Sequence, residues 1–345
     1  MKSPTELSYR AAGVDRDAAA GAKRRILDLV ASTAVPGVVA NPGGFGGLFR
    51  APSGMREPLL VASADSVGTK VKVAVRARRH VGVGQDIVNH CVNDILVEGA
   101  RPLFFLDYIG MGRLEAGVVE QIVDGAARAC RENGCALLGG ETAELPDVYG
   151  PGEYDLAGFV VGVVESDARP AATRVRSGDA LIAIASDGFH TNGYALLRRL
   201  LFDQLGLDVE DRFPGTDRTV ADVLLRPHRS YLGPVAPLIE AGHVHAISHI
   251  TGGGIPGNLE RVIPADLCAI VELATWSPPE EFRSVQAEGR IAGEEMFRTF
   301  NMGAGMILVV APESAGAVAG LLESAGERAW HIGQVGAGDH GVRLV

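Results

Sequence analysis

Strand-like and helix-like patterns alternate along the first half of the chain, and few architectures accept that alternation. Segments of β character run Leu59 to Ala64, Leu103 to Ile109, Ala136 to Leu138 and Tyr154 to Glu165. Helical periodicity covers Asp15 to Ala31, Gln85 to Gly99 and Glu115 to Asn133. Interleaving of this kind predicts an α/β unit. A turn-rich break, Ser166-Asp167-Ala168-Arg169-Pro170, precedes a fresh strand, Ala180 to Ala185, after which strand and helix patterns resume. The boundary is expected near residue 168, with an N-terminal domain over 1–168 and a C-terminal α/β domain over 169–345. A chain of 345 residues is more than one ordinary core accommodates.

Charge and cysteine usage narrow the function classes. A formal charge of −10 repels a phosphate backbone, so no nucleic-acid partner is expected. Cys91, Cys130, Cys135 and Cys268 form no C-x-x-C and no secretory spacing, which favours reduced thiols. Met1 to Arg10 has no apolar core, and the longest apolar runs, Leu156 to Val164 and Gly303 to Ala311, are about half a membrane span. A cytoplasmic protein with no membrane partner is expected.

Ala64-Asp65-Ser66-Val67-Gly68-Thr69-Lys70 closes the first probable strand and looks like a phosphate loop, yet lacks the two glycines of a Walker sequence. Ahead of it, Asn41-Pro42-Gly43-Gly44-Phe45-Gly46-Gly47 offers backbone N–H groups able to fold over phosphates. Projected at roughly 100° per residue, the helix Gln85 to Gly99 gathers Ile87, Val88, Cys91, Val92, Ile95 and Leu96 on one arc. Asp86, Asn89, His90, Asn93 and Asp94 share the other face. That face is an ordinary solvated one or, because its side chains are short and it lacks Lys and Glu, a ligand or cation surface.

Gly139-Gly140-Glu141-Thr142-Ala143-Glu144 follows the strand Ala136-Leu137-Leu138, a place where α/β proteins present groups to ligands. With Asp65 and Asp94 it supplies several carboxylates at element ends, and gathering them without a cation would cost several kcal/mol each, a rough figure. Mg2+ carried by a nucleotide triphosphate would reverse that sign, with Lys70 supplying charge to the phosphates.

Four second-half patterns need weighing. Gly252-Gly253-Gly254-Ile255-Pro256-Gly257 satisfies G-x-G-x-x-G, but Pro264 stops the following helix too early for a dinucleotide crossover, so a phosphate at the start of that short helix fits better. Ser186-Asp187-Gly188-Phe189-His190 fails the nucleophile-elbow pattern because Ile184 stands at the first glycine position. His190 and Asn192 instead read as a strand-end loop facing a polar ligand, with helix capping as the plainer role of Thr191 or Asn192. His243, His245 and His249 read as incidental rather than as zinc ligands.

Together these stretches resemble one family, the phosphoribosylformylglycinamidine cyclo-ligases (aminoimidazole ribonucleotide synthetases), across essentially the whole chain. The matching stretches are 8–15, 43–46, 65–70, 91–95, 102–108 (Pro-Leu-Phe-Phe-Leu-Asp-Tyr), 139–144, 190–194, 251–254 and 299–303. The chain departs from the usual family pattern at Ala64 and Ser66, where Thr and Gly are common. The resemblance implies a homodimer whose N-terminal strands pair into a shared barrel, with ATP near the interface. It also implies ATP-driven closure of formylglycinamidine ribonucleotide to aminoimidazole ribonucleotide, an activity of purine biosynthesis. Another ATP-dependent phosphotransferase of the superfamily, or a catalytically silent nucleotide-binding scaffold, is the alternative.

Carried over residue by residue, the resemblance implies Asp94, His190 and Lys70 as catalytic groups. Asp65, Asp94 and Glu141 are implied for Mg2+. Gly43, Gly44, Phe45, Gly46, Asp65, Ser66, Lys70, Asn93, Asp94, Asp107, Gly140 and Glu141 are implied for ATP. Thr142, His190, Asn192, Thr251, Gly252, Gly253, Gly254 and Asn301 are implied for the substrate.

Overall fold

The computed structural model describes residues 25–40 and 45–345. Residues 25–31 are helical (α1), so the helix expected from Asp15 is seen in its second half, and Gly43 and Gly44 lie outside the described residues. A short antiparallel ribbon follows, β1 (Val38–Val39) with β2 (Leu48–Phe49).

The first sheet contains β3 (Pro58–Ser66), β4 (Arg101–Met111), β5 (Ala136–Glu144) and β6 (Tyr154–Glu165) in the order β3-β6-β4-β5. β6 runs antiparallel to both neighbours, whereas β4 and β5 are parallel and joined by the helix α4 (Ala116–Glu132), as a parallel pair requires. Two helices lie between β3 and β4 in sequence, α2 (Lys70–Ala77) and α3 (Val81–Leu96). α3 packs on β3, β4 and β6 and against α4. The two helices approach so closely that a Cβ at Gly84 would collide with the Ile122 carbonyl, and one at Gly125 with the Val81 carbonyl.

Period-two alternation shows on β6, where Tyr154, Leu156 and Val160 are buried under α3 while Phe159 faces outward. Among the described residues nothing covers the outer face at its β3 and β6 end, where Leu60 is exposed as well. At its other end Phe49 of the ribbon stacks on Phe104 of β4, with ring centroids 5.5 Å apart.

The second sheet, order β12-β9-β11-β7-β10-β8, holds β7 (Ala180–Ala185), β8 (Val244–His249), β9 (Leu267–Val271), β10 (Ala304–Val310), β11 (Ala329–Ala337) and β12 (Gly341–Leu344). All pairs are antiparallel except β12 with β9. Its central strands β7 and β10 read as nearly unbroken apolar runs because both faces are covered. Among the described residues β8 pairs only with antiparallel β10, and it leads into a helix of six residues, Gly254–Leu259, so the glycine motif there opens no dinucleotide crossover. The chain is thus mixed α/β in both halves, as the alternation predicts.

Two element ends run further than their local pattern. β3 continues through Asp65 and Ser66, so Ser66 sits in a strand and the left-handed turn falls on Gly68, with φ 64°. β5 continues to Glu144, placing Gly139 to Thr142 inside the sheet rather than in a loop after it. Gly140 is required there because a Cβ would collide with the Asp107 carboxylate on β4.

The polar face of α3 is not solvated. Asp86, Asn89, His90 and Asn93 are all buried. They receive an irregular segment of the second domain: the His228 N–H donates to Asp86 Oδ1 at 2.6 Å and Asn89 Nδ2 donates to the His228 carbonyl at 2.7 Å. Asn93 Nδ2 donates to the Arg229 carbonyl at 2.9 Å, and its Oδ1 accepts from Tyr231 N–H at 2.9 Å. Short amides suit this face because they satisfy a neighbour's backbone groups where water cannot reach.

Candidate active site between the two domains

A cavity of about 560 Å³ opens at the domain junction. Val61, Ser63 and Asp65 of β3 line one side, Asp94 and Glu98 of the α3 end another, and Ser248, His249, Thr251, Asn258 and Arg261 the side of the second domain. Alternation along β3 aims Val61, Ser63 and Asp65 toward the same face, and the register of α3 brings Asp94 beside them.

Both carboxylates are held by imidazoles. His90 Nε2–H donates to Asp65 Oδ2 at 3.0 Å, and His249 Nδ1–H donates to Asp94 Oδ1 at 2.9 Å. The Ser63 hydroxyl donates to Asp94 Oδ2 at 3.0 Å and the Ser66 N–H to Asp65 Oδ1 at 2.6 Å. Burial is the largest single influence and opposes the charge on each carboxylate, but the bond and charge of His90 with the Ser66 N–H on Asp65, and the bond and charge of His249 with His90 and Ser63 on Asp94, together outweigh it, and both stay below the usual carboxylate range. The converse holds at His90, where burial is overcome by the Asp65 bond and the surrounding acids, raising the imidazole. His249 is lowered because burial outweighs Asp94.

Behind the carboxylates the contacts continue. The Thr191 hydroxyl lies 2.9 Å from His90 Nδ1 and 3.4 Å from His228 Nδ1, and His228 Nε2 lies 3.1 Å from His249 Nε2. His190 stacks on His228 with centroids 4.0 Å apart. His228 had no signal in the sequence: it sits in an irregular segment without periodicity, and its ring partners are 21 to 138 positions away.

Several expected site residues are placed differently. Lys70 does not face the cavity; its side chain is 0% exposed. Its ammonium meets Asp86 Oδ2 at 2.8 Å and Oδ1 at 3.0 Å, and donates to the carbonyls of His190 at 3.0 Å and Arg226 at 2.8 Å. Those acceptors use all three of its donors, so the ammonium ties the domains together. Burial pulls the Lys70 ammonium down and pushes the Asp86 carboxyl up, and their mutual attraction, with the His228 N–H bond on Asp86, opposes those shifts. Asn93 is likewise spent on backbone groups of the second domain.

His190 is 1% exposed and does not line the cavity. It sits at φ 58°, accepts from Asp187 N–H at Nε2 (3.1 Å), and leaves Nδ1 buried without a partner. Burial, followed by the charges of His249, Lys70 and Arg229, drives its imidazole well down and keeps it neutral. Ser186 Oγ donates to the Gly188 carbonyl and lies 3.0 Å from Asn301 Oδ1, so no serine–histidine pair forms. Asn301 braces this loop, donating to the Gly188 carbonyl at 3.0 Å and accepting from Gly303 N–H at 2.8 Å.

Thr251 does line the cavity, and Asn258 Nδ2 gathers the carbonyls of Thr251, Gly252 and Gly254 at 3.3, 3.2 and 2.8 Å. Gly252 and Gly253 are exposed, Gly254 is buried, and Asn192 Oδ1 faces Gly252.

Asp107, Gly140, Glu141 and Thr142 gather in a second cleft of about 560 Å³, beside Ile26, Leu27 and Val30 of α1. Burial pushes the Asp107 carboxyl up to about 6. Glu141 lies in register with Ser66 through Tyr108 and Ala157, so three strand spacings, about 14 Å, separate its backbone from β3. Within one chain the expected Asp65, Asp94 and Glu141 cluster is therefore two carboxylates in one cavity and a third in another. Phe45 is fully exposed.

Two carboxylates at a cavity mouth suit Mg2+ that arrives with phosphates, because this hard cation takes one or two carboxylates and completes its shell with other oxygens. All four cysteines are buried and unpaired, and among the described residues no helix is long and apolar enough to cross a membrane.

Comparison with known proteins gives a consistent picture. Residues 53–164 match the family model described as AIR synthase related protein, N-terminal domain, and residues 176–345 match its C-terminal domain. Phosphoribosylformylglycinamidine cyclo-ligase of Geotalea daltonii is 45% identical over 99% of both chains. Among solved structures, thiamine-monophosphate kinase from Stenotrophomonas maltophilia superposes with a TM-score of 0.70 at 20% identity, covering 93% of this chain and 95% of that one. Hydrogenase maturation protein HypE in complex with ATP superposes with a TM-score of 0.68 at 22% identity, covering 93% and 90%.

Proposed function

Because the chain belongs to the AIR synthase related protein family, we propose that the cavity between its domains is where formylglycinamidine ribonucleotide is closed to aminoimidazole ribonucleotide. The chain is an ATP-dependent cyclo-ligase of purine biosynthesis, an enzyme that forms a C–N bond. Near-complete alignment at 45–47% identity with relatives of that name carries the assignment. The kinase and HypE likenesses, near 20% identity, speak for the fold alone.

The chemistry explains why ATP is needed. A formamide oxygen is a poor leaving group; transfer of the γ-phosphoryl group onto it, with release of ADP, makes it a good one. The amidine nitrogen then attacks the same carbon, the C–O bond breaks with departure of phosphate, and the nitrogen gives up a proton. One difficult displacement becomes two easier ones. This chain contributes alignment and charge placement. Asp65 and Asp94, kept ionised by their imidazoles, would hold the Mg2+ that accompanies the nucleotide and neutralises its phosphates. Thr251 and the Gly252 to Gly254 turn would hold the ribose phosphate, with Asn192 beside them. His190 and Asn301 act by shaping the Ser186–His190 loop.

The uncovered β3 and β6 face, with Leu60 70% and Phe159 46% exposed, supports a homodimer in which a second copy of the sheet covers it. An assay of ADP release from ATP with formylglycinamidine ribonucleotide, and with thiamine phosphate as the competing substrate, tests the reading. Turnover with the first alone is expected; turnover with the second alone would replace the assignment.

A further inference from the structure

We propose that Arg261 reads the 5′-phosphate of the ribonucleotide substrate, anchoring it on the wall that the second domain gives to the interdomain cavity, with the Ser248 hydroxyl as a second donor. The inference deepens the cyclo-ligase reading and rests on it for the identity of the substrate.

The charges lining the cavity are unevenly met. Asp65 and Asp94 each pair with an imidazole, and Glu98 pairs with Arg169 at 2.6 Å. Arg261 is the single lysine or arginine on the lining and, among the described residues, has no carboxylate or other hydrogen-bond partner. The chain fixes where it stands. β8 runs through Thr251 and the glycine turn into the helix Gly254–Leu259, which tightens into a last turn, Glu260–Val262. Asn258 and Arg261, three positions apart, share the helix face that lines the cavity. A guanidinium there with no acid beside it keeps its N–H donors for an incoming anion, and its planar fork matches paired phosphate oxygens.

The glycine turn alone lacks that charge. Thr251 Oγ1 donates to Asn258 Oδ1 at 3.2 Å and Asn258 Nδ2 serves three carbonyls, so these side chains brace the turn, which offers a phosphate backbone N–H groups. A helix of six residues adds little dipole to them. A second observation points to a ligand: Ser248 lines the same cavity, is 3% exposed, and its Oγ is buried without a hydrogen-bond partner. A buried hydroxyl left unmet is costly, and an oxygen of the ribose phosphate repairs it. The edge of β8 is open as well. Ile250 N–H donates to the Gly305 carbonyl at 3.0 Å, so alternation turns the backbone groups of Ile247 and His249 away from β10, to the outer edge. Asp65 and Asp94 repel a phosphate monoester whereas Arg261 attracts it, so the ribonucleotide enters with its formylglycinamidine chain toward Asp94.

Calorimetric titration of the full-length protein with ribose 5-phosphate, without ATP or Mg2+, tests this. Wild type should bind it, and Arg261→Gln should weaken binding on the order of 10–100-fold, the range for a charge-assisted hydrogen bond. Arg261→Lys should recover part of the loss, because it keeps the charge but not the fork. Ser248→Ala should weaken binding several-fold with the melting temperature unchanged, since the hydroxyl has no protein partner to lose. Arg343→Gln, an exposed position on β12 at the opposite edge of the sheet from β8, should change nothing. In the ADP-release assay Arg261→Gln should lower kcat/KM for formylglycinamidine ribonucleotide by the same factor, leaving kcat/KM for the dephosphorylated nucleoside and the KM for ATP as in wild type. The titration needs no turnover, so it can fail while the assay of the cyclo-ligase reading succeeds, and the reverse. Wild type that binds no ribose 5-phosphate, a folded Arg261→Gln protein that binds it as wild type does, or equal losses with nucleotide and nucleoside would overturn the proposal. A raised KM for ATP in place of weakened ribose 5-phosphate binding would overturn it too, assigning Arg261 to the other phosphate.

Discussion

Replacing Lys70 by Met separates two accounts of this residue. The buried geometry makes it an internal tie: substitution leaves the Asp86 carboxylate without its cation and the carbonyls of His190 and Arg226 without a donor. Breaking a buried pair from one side costs about 3–5 kcal/mol. The two orphaned carbonyls push toward the upper end, against a total stability on the order of 5–15 kcal/mol. The variant should therefore fold but unfold at much lower urea. Adding Asp86→Asn removes the stranded charge while keeping an acceptor for His228 N–H, and should restore about 1–3 kcal/mol. Equilibrium urea unfolding of the wild type and both variants gives these numbers, and the KM for ATP of the folded Lys70→Met protein should remain near the wild-type value. Wild-type stability combined with a large rise in that KM would refute the reasoning and return Lys70 to the nucleotide.

Other outcomes follow from the same contacts. Asp94→Ala should abolish ADP release while the far-ultraviolet dichroism stays that of the wild type; near-normal turnover would remove Asp94 from the site. The Asp107 carboxyl, raised to about 6 in the fold, ionises first in the unfolded chain, near 3.9. Stability should thus fall by up to about 3 kcal/mol between about pH 4 and pH 6 and stay at the lower level above, and Asp107→Asn should flatten that decline in urea titrations. Leu60→Glu with Phe159→Glu should shift a dimer to monomer in sedimentation velocity; an unchanged dimer would place the interface elsewhere.

What could be read from the sequence divides by range. Alternation gave β3, β4, β6 and the helices α3 and α4 within a few residues, because each pattern is local. Asp65 and Asp94 were legible as strand-end and helix-face acids, and they do share a cavity. The fate of α3's polar face was not legible: the same periodicity describes a helix facing water and one facing a second domain's backbone. Lys70 shows the difficulty, since its partners Asp86, His190 and Arg226 lie 16, 120 and 156 positions away. The separation of Glu141 from Asp65 within one chain was illegible for a related reason, because the strand order β3-β6-β4-β5 sets it and no stretch of sequence states that order.

A crystal structure of the protein with a non-hydrolysable ATP analogue and formylglycinamidine ribonucleotide bears most directly on where the phosphoryl group moves. The terminal phosphate should lie in the interdomain cavity against Asp65 and Asp94, with the formamide oxygen in line beyond it. A terminal phosphate bound elsewhere, out of reach of both aspartates, would contradict the account.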